Sequence, residues 1–556
     1  MKKRLRDVPR NTALAIRNWT RSLRRKGLDC VVLPIHGSYP EFPRRDSWPM
    51  FPTEASLSDM RTVAEIIGGD PRVQTVILRF GTLQAGTSTL YSLRRLLLDL
   101  RDKGKRLIAW LPTAATHDYY LASACDEIIL PQAGRLSILG LRFEAMFLKD
   151  TLALAGIEAD FESIAEYKTS PDTFRRSTMS EPHREMLDAI LDSAFGEIVA
   201  AAAEGRGLDA SQVRALIDQM LLTPAEAVEA GLADAVLYED ELAAHISLDD
   251  DVVPPVTWRE AARWLRKPVK WSTRQRIGVV SLNGTIVPGR SRRLPIPLPL
   301  PIPLGTQAGA DTIIQSLRAA EADAHIRAVI FYVETPGGAA LASDLIWREV
   351  CRLRERKPVV VLMGSQATSG GYYVAAPANR IVARPTTLTG SIGIWGGKFS
   401  FAGLYGKLGI GRQAVQRGAM AGIYSEGAPF SKKERERVRR DIGAGYSLFK
   451  SHVAEGRGMT EEQVEEIARG RVWTGAQAHE IGLVDELGDF ETALTIAKEL
   501  AGLDPEQTYT VVLVGPPRRA LLPLPFPNTT EGTESLSTAL RRLAREHVWA
   551  MAPWTI

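Results

Sequence analysis

The 556-residue sequence predicts an α/β protein in which one fold occurs twice. Short apolar runs alternate with longer amphipathic segments, as they do where helices wrap a parallel sheet. When the second half is displaced by 253 residues (372 − 119), Tyr119 and Tyr120 coincide with Tyr372 and Tyr373. Because similar matches extend over most of both halves, the pattern indicates duplication rather than chance.

Each copy is predicted to contain three buried strands and one long amphipathic helix at corresponding places. The predicted strands are 76–78, 107–110 and 127–130 in the first copy, and 329–331, 359–362 and 380–383 in the second. The predicted helices are 90–100 and 341–353, and a further strand begins at Glu158. Apolar runs this short are typical of strands buried on both faces of a sheet.

Composition and the repeat divide the chain into five predicted segments. They are a basic N-terminal arm at 1–28, a first repeat at 29–245, a linker at 246–275, a second repeat at 276–500 and a proline-rich tail at 501–556. The linker is expected to hold a short helix. The composition of the tail argues against further compact core and favours packing on the surface or partial disorder.

The overall composition excludes some classes of function. A net charge of +4 over this length is too small for a dedicated nucleic-acid-binding protein, which concentrates basic residues on one face. The three cysteines, Cys30, Cys125 and Cys351, are far apart and form no CxxC pair. They therefore predict neither a disulfide framework nor a zinc site.

The N-terminal arm carries ten basic side chains in its first 28 residues. Its apolar stretch at 12–16 stops at Arg17, which is too short for a signal peptide, and no stretch reaches the roughly 18 apolar residues that span a bilayer. A basic, partly amphipathic helix over 11–26 would suit an anionic membrane surface. A solvated basic arm is the alternative.

A run of alternating Leu or Ile and Pro occupies residues 294–304, just after the first strand of the second copy. Proline at every second position forbids both helix and sheet ladder, so the run is predicted to be an extended arm. Four roles stay open: contact with a neighbouring subunit, with lipid or with apolar substrate, or a plain linker.

A glycine pair and a serine follow two successive strands of the second copy. Gly337 and Gly338 lie in a strand-to-helix turn, where backbone N–H groups can face a ligand, although an ordinary tight turn is the alternative. Ser369 opens the next helix, beside the N–H of Gly370. It is either an N-cap or a nucleophile whose acyl oxyanion that N–H would stabilise.

A serine nucleophile needs a base, and no histidine lies in the loop motifs of the second copy. Lys168 of the first copy coincides with Ala421 of the second, so the lysine, the serine and the glycine pair each occur only once. A neutral lysine requires its pKa to fall by about 3 units, on the order of 4 kcal/mol. A hydroxyl at Ser391 would orient such a lysine, although turn chemistry alone would also account for Ser391. For Lys168 the alternative is a solvated lysine beside Glu166.

These motifs together resemble the signal peptide peptidase A family, the long duplicated form also called protease IV. The resemblance covers roughly residues 30–500 and rests on four segments in the family's order: EYKT at 166–169, TPGG at 335–338, TSGGYY at 368–373 and LTGSIGI at 388–394. It implies a tandem of crotonase-like, ClpP-like α/β domains.

The resemblance also implies the roles of individual residues. Ser369 would be the nucleophile and Lys168 the general base, with Ser391 holding the lysine. The oxyanion donors would be the N–H of Gly370 together with one from Gly337 or Gly338.

The activity implied by the resemblance is endoproteolysis of short hydrophobic peptides, such as released signal peptides, through an acyl-enzyme. It would require no metal or cofactor, and the enzyme would assemble as a homotetramer. This chain departs from the family in lacking an N-terminal transmembrane helix, which favours a peripheral membrane-associated or a cytoplasmic enzyme.

Two other classes of function fit the same motifs. Crotonases use this fold on acyl-CoA thioesters with Glu or Asp acid/base groups, and a pseudo-peptidase would be a non-catalytic scaffold at the membrane. Whether Lys168 and Ser369 would meet within one chain or between neighbouring chains also stays open at this stage.

Overall fold

The computed structural model describes residues 7–23, 27–43, 54–219, 221–247, 254–270, 273–293, 305–517 and 548–551. The chain folds into two compact units. The first comprises the residues up to 142 together with 191–274, and the second comprises 143–190 and 275–555. The long helix Glu181–Arg206 contributes residues to both.

The first unit is built on a parallel six-stranded sheet. Its strands, in spatial order, are Val256–Thr257, Cys30–Gly37, Thr75–Leu83, Arg106–Trp110, Glu127–Leu130 and Ala235–Val236. The central strands are almost wholly apolar because helices cover both faces of such a sheet. A separate three-stranded sheet contains Thr113–Ala115, Arg135–Ser137 and Leu221–Leu222.

Eight shorter helices belong to the described part of the first unit. They are Asp7–Ser22, Leu57–Gly69, Thr87–Asp102, Thr116–Ala122, Ala210–Asp218, Pro224–Glu229, Leu242–Ile246 and Trp258–Trp264. Local sequence explains where they begin. For example, the hydroxyl of Ser56 accepts the Asp59 amide while the Asp59 carboxylate accepts the Ser56 amide, so both ends of a capping box are present.

The N-terminal helix Asp7–Ser22 packs on the region predicted to be a linker. The side chain of Asn11 donates to the carbonyl of Lys270, and that of Asn18 donates to the carbonyl of Lys267. The helix is therefore anchored, although most of its described side chains are exposed to solvent. Ile16 and Trp19 of this helix are exposed, and a membrane-facing role for the helix stays a prediction.

The second unit contains a larger mixed sheet. Its path runs Val472–Thr474, Leu388–Gly390, Val359–Thr368, Ile326–Thr335, Arg276–Asn283 and Thr510–Leu513, and Arg380–Ala383 and Glu486–Leu487 branch from it. Among the described strands of this sheet, only Val472–Thr474 pairs in the antiparallel sense, with Leu388–Gly390. The carboxyl ends of the parallel strands consequently meet at one edge, where α/β proteins bind ligands.

The second unit contains a second sheet, which lies beside that edge. Its strands are Arg292–Arg293, Thr306–Gly309, Thr285–Val287, Gly337–Ala339, Val548–Met551, Trp395–Ser400 and Glu158–Ser163. The helices are Lys149–Ala155, Asp172–Arg175, Ala310–Ala322, Ala340–Arg354, Gly370–Ala375, Ala402–Lys407, Lys432–Arg457, Glu461–Ile467, Gly475–Glu480 and Phe490–Leu500. All strands and helices predicted from the two copies are present, which confirms the α/β class.

The units do not follow the predicted repeat boundaries. Residues 143–190 belong in sequence to the repeat at 29–245, yet they pack within the second unit. The predicted linker at 246–275 supplies an edge strand, Val256–Thr257, in addition to its expected short helix. The five-segment division of the sequence itself stays a prediction.

The tail supplies two short strands that the sequence did not predict. Thr510–Leu513 extends the main sheet beside Arg276–Asn283, and Val548–Met551 pairs within the second sheet. The Leu-Pro run at 294–304 lies outside the described residues. Within the described residues, no helix is both long enough and apolar enough to cross a bilayer.

The tail strand should measurably stabilise the second unit. A chain that ends at residue 517 keeps Thr510–Leu513, whereas a chain that ends at 507 leaves the backbone of Arg276–Asn283 unpaired along that edge. We expect the shorter chain to melt about 5 °C lower in a thermal unfolding experiment. Equal melting temperatures would show that the strand contributes nothing to the core.

Candidate active site

Ser369 lies where the strand Val359–Thr368 ends and the helix Gly370–Ala375 begins. Its backbone has φ 56° and ψ −111°, a conformation that is unfavourable for a residue with a Cβ. The neighbouring strand holds this conformation, because the Ser369 N–H donates to the Gly390 carbonyl at 2.7 Å. The side chain is fully buried and makes no N-cap hydrogen bond, so the N-cap alternative is wrong.

The amine of Lys168 reaches the hydroxyl of Ser369 from the segment that follows the strand Glu158–Ser163. Lys168 Nζ lies 2.7 Å from Ser369 Oγ, 2.8 Å from the Ser391 carbonyl and 3.0 Å from Ser391 Oγ. Only 1% of the Lys168 surface is exposed, so the alternative of a solvated lysine is also wrong. In a neutral amine, two N–H groups can donate to Ser391 while the lone pair accepts the Ser369 proton.

Burial lowers the pKa of Lys168 well below its usual value of 10.5. Among the described residues, no carboxylate acts on this pKa to favour the charged form. A protonated amine would have to give up its hydration without gaining a counter-ion. The site therefore favours the neutral amine, which is the form that can accept a proton.

The backbone of Ser391 is also fixed by a hydrogen bond to a neighbouring segment. Its backbone also has a positive φ, 52°, and its N–H donates to the Arg471 carbonyl at 2.7 Å. This conformation lets the carbonyl and the hydroxyl of one residue face the same amine. The two acceptors fix the direction of the amine toward Ser369.

The segment at 469–471 packs against Lys168. The sequence did not predict this contact. The Tyr167 N–H donates to the Arg469 carbonyl, and the Gly470 N–H donates to the Ile392 carbonyl. Gly470 has φ +81°, and a Cβ there would lie 2.5 Å from the Cβ of Lys168. One signal was available: at the shift of 251 residues that aligns this part of the repeat, the first copy has Gln219 instead of glycine.

The glycine turn packs directly against the strand that carries Ser369. The Thr368 hydroxyl donates to the Pro336 carbonyl at 3.1 Å. Gly337 has φ +102°, and a Cβ on Gly338 would lie 2.0 Å from the carbonyl oxygen of Ile286, so both positions require glycine. The Gly370 N–H begins the next helix, where amides have no intrahelical acceptor.

The structure therefore brings the predicted residues together within one chain and one compact unit. Ser369, Lys168 and Ser391 form a single hydrogen-bonded cluster, and the glycine turn is joined to it through the end of the same strand. Lys168 belongs by sequence to the first copy and by packing to the second unit. Within the described ranges, no cluster of His, Cys, Asp and Glu could hold a metal ion.

A serine hydroxyl bonded to a buried amine at the carboxyl edge of a parallel sheet is typical of a serine hydrolase. The family model "Peptidase family S49" matches residues 99–252 and again 352–504. The two matches begin 253 residues apart (352 − 99), the same displacement that aligns the two copies. The chain belongs to peptidase family S49 and is a serine peptidase, and the family model occurs once in each copy of the predicted duplicated α/β fold.

Two curated relatives cover most of the chain. "Serine protease SPPA, chloroplastic" from Arabidopsis thaliana is 32% identical over 459 residues, which are 81% of this chain and 67% of the relative. "Protease 4" from Haemophilus influenzae is 29% identical over 465 residues, 81% of this chain and 74% of the relative. These matches confirm the resemblance to the signal peptide peptidase A and protease IV family.

The solved structures that match are distant. A mutant form of ClpP1 from Listeria monocytogenes is 16% identical and covers 39% of this chain and 94% of its own, with a TM-score of 0.24. That score is too low to support any conclusion about the site or the assembly.

The close approach of Gly470 to Lys168 predicts a specific sensitivity. Gly470 and Gly502 both have positive φ, but a Cβ would overlap the Lys168 backbone at position 470 and meet nothing within 4 Å at position 502. We expect Gly502→Ala to lower the free energy of unfolding by about 1 kcal/mol, the cost of the backbone conformation alone. Gly470→Ala should lose at least ~2 kcal/mol more, because its new methyl is overpacked.

Denaturant unfolding of the two variants measures both values. Equal losses would mean that the segment at 469–471 can move away from Lys168 without cost, and would contradict the support that we describe.

Proposed function

We propose that the chain is a serine endopeptidase in which Ser369 is the nucleophile and Lys168 is the general base. The observation that carries this proposal is the 2.7 Å separation of Lys168 Nζ and Ser369 Oγ in a fully buried niche. General-base catalysis requires this reach and a base that is neutral at the working pH. Burial lowers the pKa of Lys168, which is the direction that the second condition requires.

In the proposed acylation step, Ser369 Oγ attacks the carbonyl carbon of the scissile peptide bond and its proton passes to Lys168 Nζ. The carbonyl oxygen becomes an oxyanion that accepts hydrogen bonds from the Gly370 N–H and from one N–H of Gly337 or Gly338. Of these two, the Gly337 N–H donates to the Thr335 hydroxyl at 3.0 Å and would have to leave it to serve as the donor. Lys168 then protonates the leaving nitrogen. An ester between Ser369 and the acyl half of the substrate results.

Deacylation repeats the same proton transfers with water as the nucleophile. Lys168 takes a proton from the water that attacks the ester, and returns one to Ser369 Oγ as the acid product leaves. While the lysine is charged, the carbonyl and hydroxyl of Ser391 are the acceptors that stabilise it. Ser391 thus orients the neutral base and also bonds the transient cation.

An extended peptide fits the second sheet of this unit beside the glycine turn. The backbone of the chain's own segment Val548–Met551 lies antiparallel to Gly337–Ala339 on one side and to Trp395–Ser400 on the other. Four residues of extended chain therefore pair next to the proposed oxyanion donors, and a substrate that bound there by strand addition would take the place of this segment. This geometry supports a peptide substrate.

The finer description of the substrate rests on the family resemblance. Short hydrophobic peptides, such as released signal peptides, are the proposed substrates. An aromatic group on the neighbouring strands is compatible with apolar side chains, since the ring of Phe161 contacts those of Trp395 and Phe399 at centroid distances of 5.2 and 5.0 Å. A homotetramer and a peripheral contact with membranes also stay proposals.

The two alternative classes receive less support. Acyl-CoA enzymes of the crotonase type work with Glu or Asp acid/base groups, whereas the side chain bonded to Ser369 is a lysine. A non-catalytic scaffold would not need the strained backbone at Ser369 and at Ser391, each of which costs on the order of 1 kcal/mol or more.

A fluorophosphonate probe tests the proposed roles directly. We expect the probe to label Ser369 in the wild-type protein, as shown by mass spectrometry of the modified peptide. Lys168→Ala should lower the labelling rate at least ~100-fold, because the proton has no acceptor. Ser391→Ala should lower it about five- to tenfold, which corresponds to the loss of one hydrogen bond of roughly 1 kcal/mol.

Lys357→Ala is the matched control. Lys357 also has a pKa lowered by burial, but it lies beside the amino end of the strand that leads to Ser369, where its amine donates to the carbonyls of Ala320 and Asp323. This variant should label at the wild-type rate. A folded wild-type protein that takes no label at Ser369, or a Lys168→Ala variant that labels normally, would disprove the proposal.

A further inference from the structure

The strand that ends at Ser369 is irregular just before it reaches the site. It pairs in parallel with the strand Ile326–Thr335, and the register places Val333 opposite Met363 but Thr335 opposite Ala367. Residues 364–366 therefore face the single residue Glu334. A bulge of this size frees backbone amides from the ladder, and those amides need other acceptors.

The carboxylate of Glu334 supplies the acceptors. The Ser365 N–H donates to Glu334 Oε2 at 2.7 Å, the Gln366 N–H bonds to the same carboxylate, and the Tyr332 hydroxyl donates to Oε2 at 3.1 Å. Gly364 allows this approach, since a Cβ there would lie 1.9 Å from Oε2. The side chain of Glu334 thus replaces the missing ladder bonds across the bulge.

A second layer of bonds holds the other side of the bulge. The Thr387 hydroxyl donates to the Gly364 carbonyl at 2.7 Å, and the Arg384 guanidinium donates to the Met363 carbonyl at 3.1 Å. Arg384 is 2% exposed, and its charge favours the ionised form of Glu334. Burial has the larger effect and raises the pKa of Glu334 above its usual value.

The two strands joined in this way end in the two parts of the candidate site. The residue after Glu334 begins the turn that carries Gly337 and Gly338, and the strand after the bulge ends at Ser369. The bulge sets how far that strand advances and twists relative to its neighbour. A carboxylate that fixes the bulge therefore fixes Ser369 relative to the glycine turn.

The first copy lacks this whole arrangement. At the same displacement of 253 residues, Glu334 corresponds to Gly81, Arg384 to Pro131 and Thr387 to Gly134. The strand Arg106–Trp110 stops short and does not extend through a bulge as Val359–Thr368 does. The arrangement of Glu334, Arg384 and Thr387 occurs only in the copy that carries the serine. A general requirement of the fold would place it in both copies.

We propose that Glu334 is a positioning residue for the Ser369 site, acting through the backbone amides of residues 365 and 366. It touches neither substrate nor the reacting atoms. Its carboxylate holds the Ser369 hydroxyl at the correct distance from the glycine turn. The inference rests on the proposed function, since positioning matters only if Ser369 reacts.

The test compares Glu334→Gln with the wild-type protein in fluorophosphonate labelling. The glutamine keeps the size of the side chain but turns an NH2 group toward amides that also donate. We expect the maximal labelling rate per folded molecule to fall at least tenfold, with the probe concentration for half-maximal rate changed less than twofold. The folded fraction is measured in parallel by circular dichroism.

Asp485→Asn is the matched control. The carboxylate of Asp485 accepts the Ile381 N–H at 2.7 Å and pairs with Arg457, so it performs the same kind of structural task on another strand. The variant should lose stability yet label at the wild-type rate per folded molecule. This result separates positioning from general destabilisation.

The outcomes are distinguishable. A wild-type protein that is not labelled at Ser369 defeats the proposed function itself. Normal wild-type labelling together with wild-type labelling of Glu334→Gln, or an equal fall in Asp485→Asn, overturns the role of Glu334 alone.

A second variant decides the matter if Glu334→Gln does not fold. Thr387→Val keeps the side-chain shape and removes the hydroxyl that bonds the Gly364 carbonyl. We expect a fall in the maximal labelling rate of about threefold or more, without a change in half-saturation. An unchanged rate in folded Thr387→Val would then overturn the proposal.

Discussion

The burial of Lys168 beside Ser369 without a carboxylate partner among the described residues is the constraint on which the rest of the site depends. A charged amine in that niche would lose its hydration and gain no counter-ion, so the fold is compatible with the neutral form. The neutral form is also the one that can take a proton from a hydroxyl 2.7 Å away. Burial of the amine beside the hydroxyl therefore favours the unprotonated form of the lysine that the proposed reaction needs.

Two backbone positions carry strain so that this niche can exist. Ser369 and Ser391 have positive φ although each carries a Cβ, whereas Gly470 adopts its positive φ readily. Each of the three residues is tied to a neighbouring segment by a backbone hydrogen bond. Backbone strain of this kind persists only where the surrounding contacts contribute more free energy than the strained conformation costs. The Glu334 carboxylate and the bulge that it bonds form part of those surroundings in our proposal.

The sequence predicted the sheets and the main site residues because both left simple traces. Continuous apolar runs marked the buried strands, and the single occurrence of Lys168 and of Ser369 in a duplicated chain marked the pair. Gly470 and Glu334 left no such trace, because their importance comes from close contacts between segments distant in the chain. The strand Thr510–Leu513 was missed because it is short and followed by prolines, so only its pairing with Arg276–Asn283 defines it.

The most direct test of a neutral Lys168 is its effect on stability as a function of pH. In the unfolded chain the lysine keeps a pKa near 10.5, whereas in the folded chain the pKa is lowered, so between the two values the unfolded state binds more protons. The free energy of unfolding of the wild type, minus that of Lys168→Met, should therefore increase between pH 7 and pH 9.5, by up to ~1.4 kcal/mol per pH unit within that window. A difference that stays constant or decreases with pH would mean that Lys168 is protonated in the folded protein, and would contradict the account.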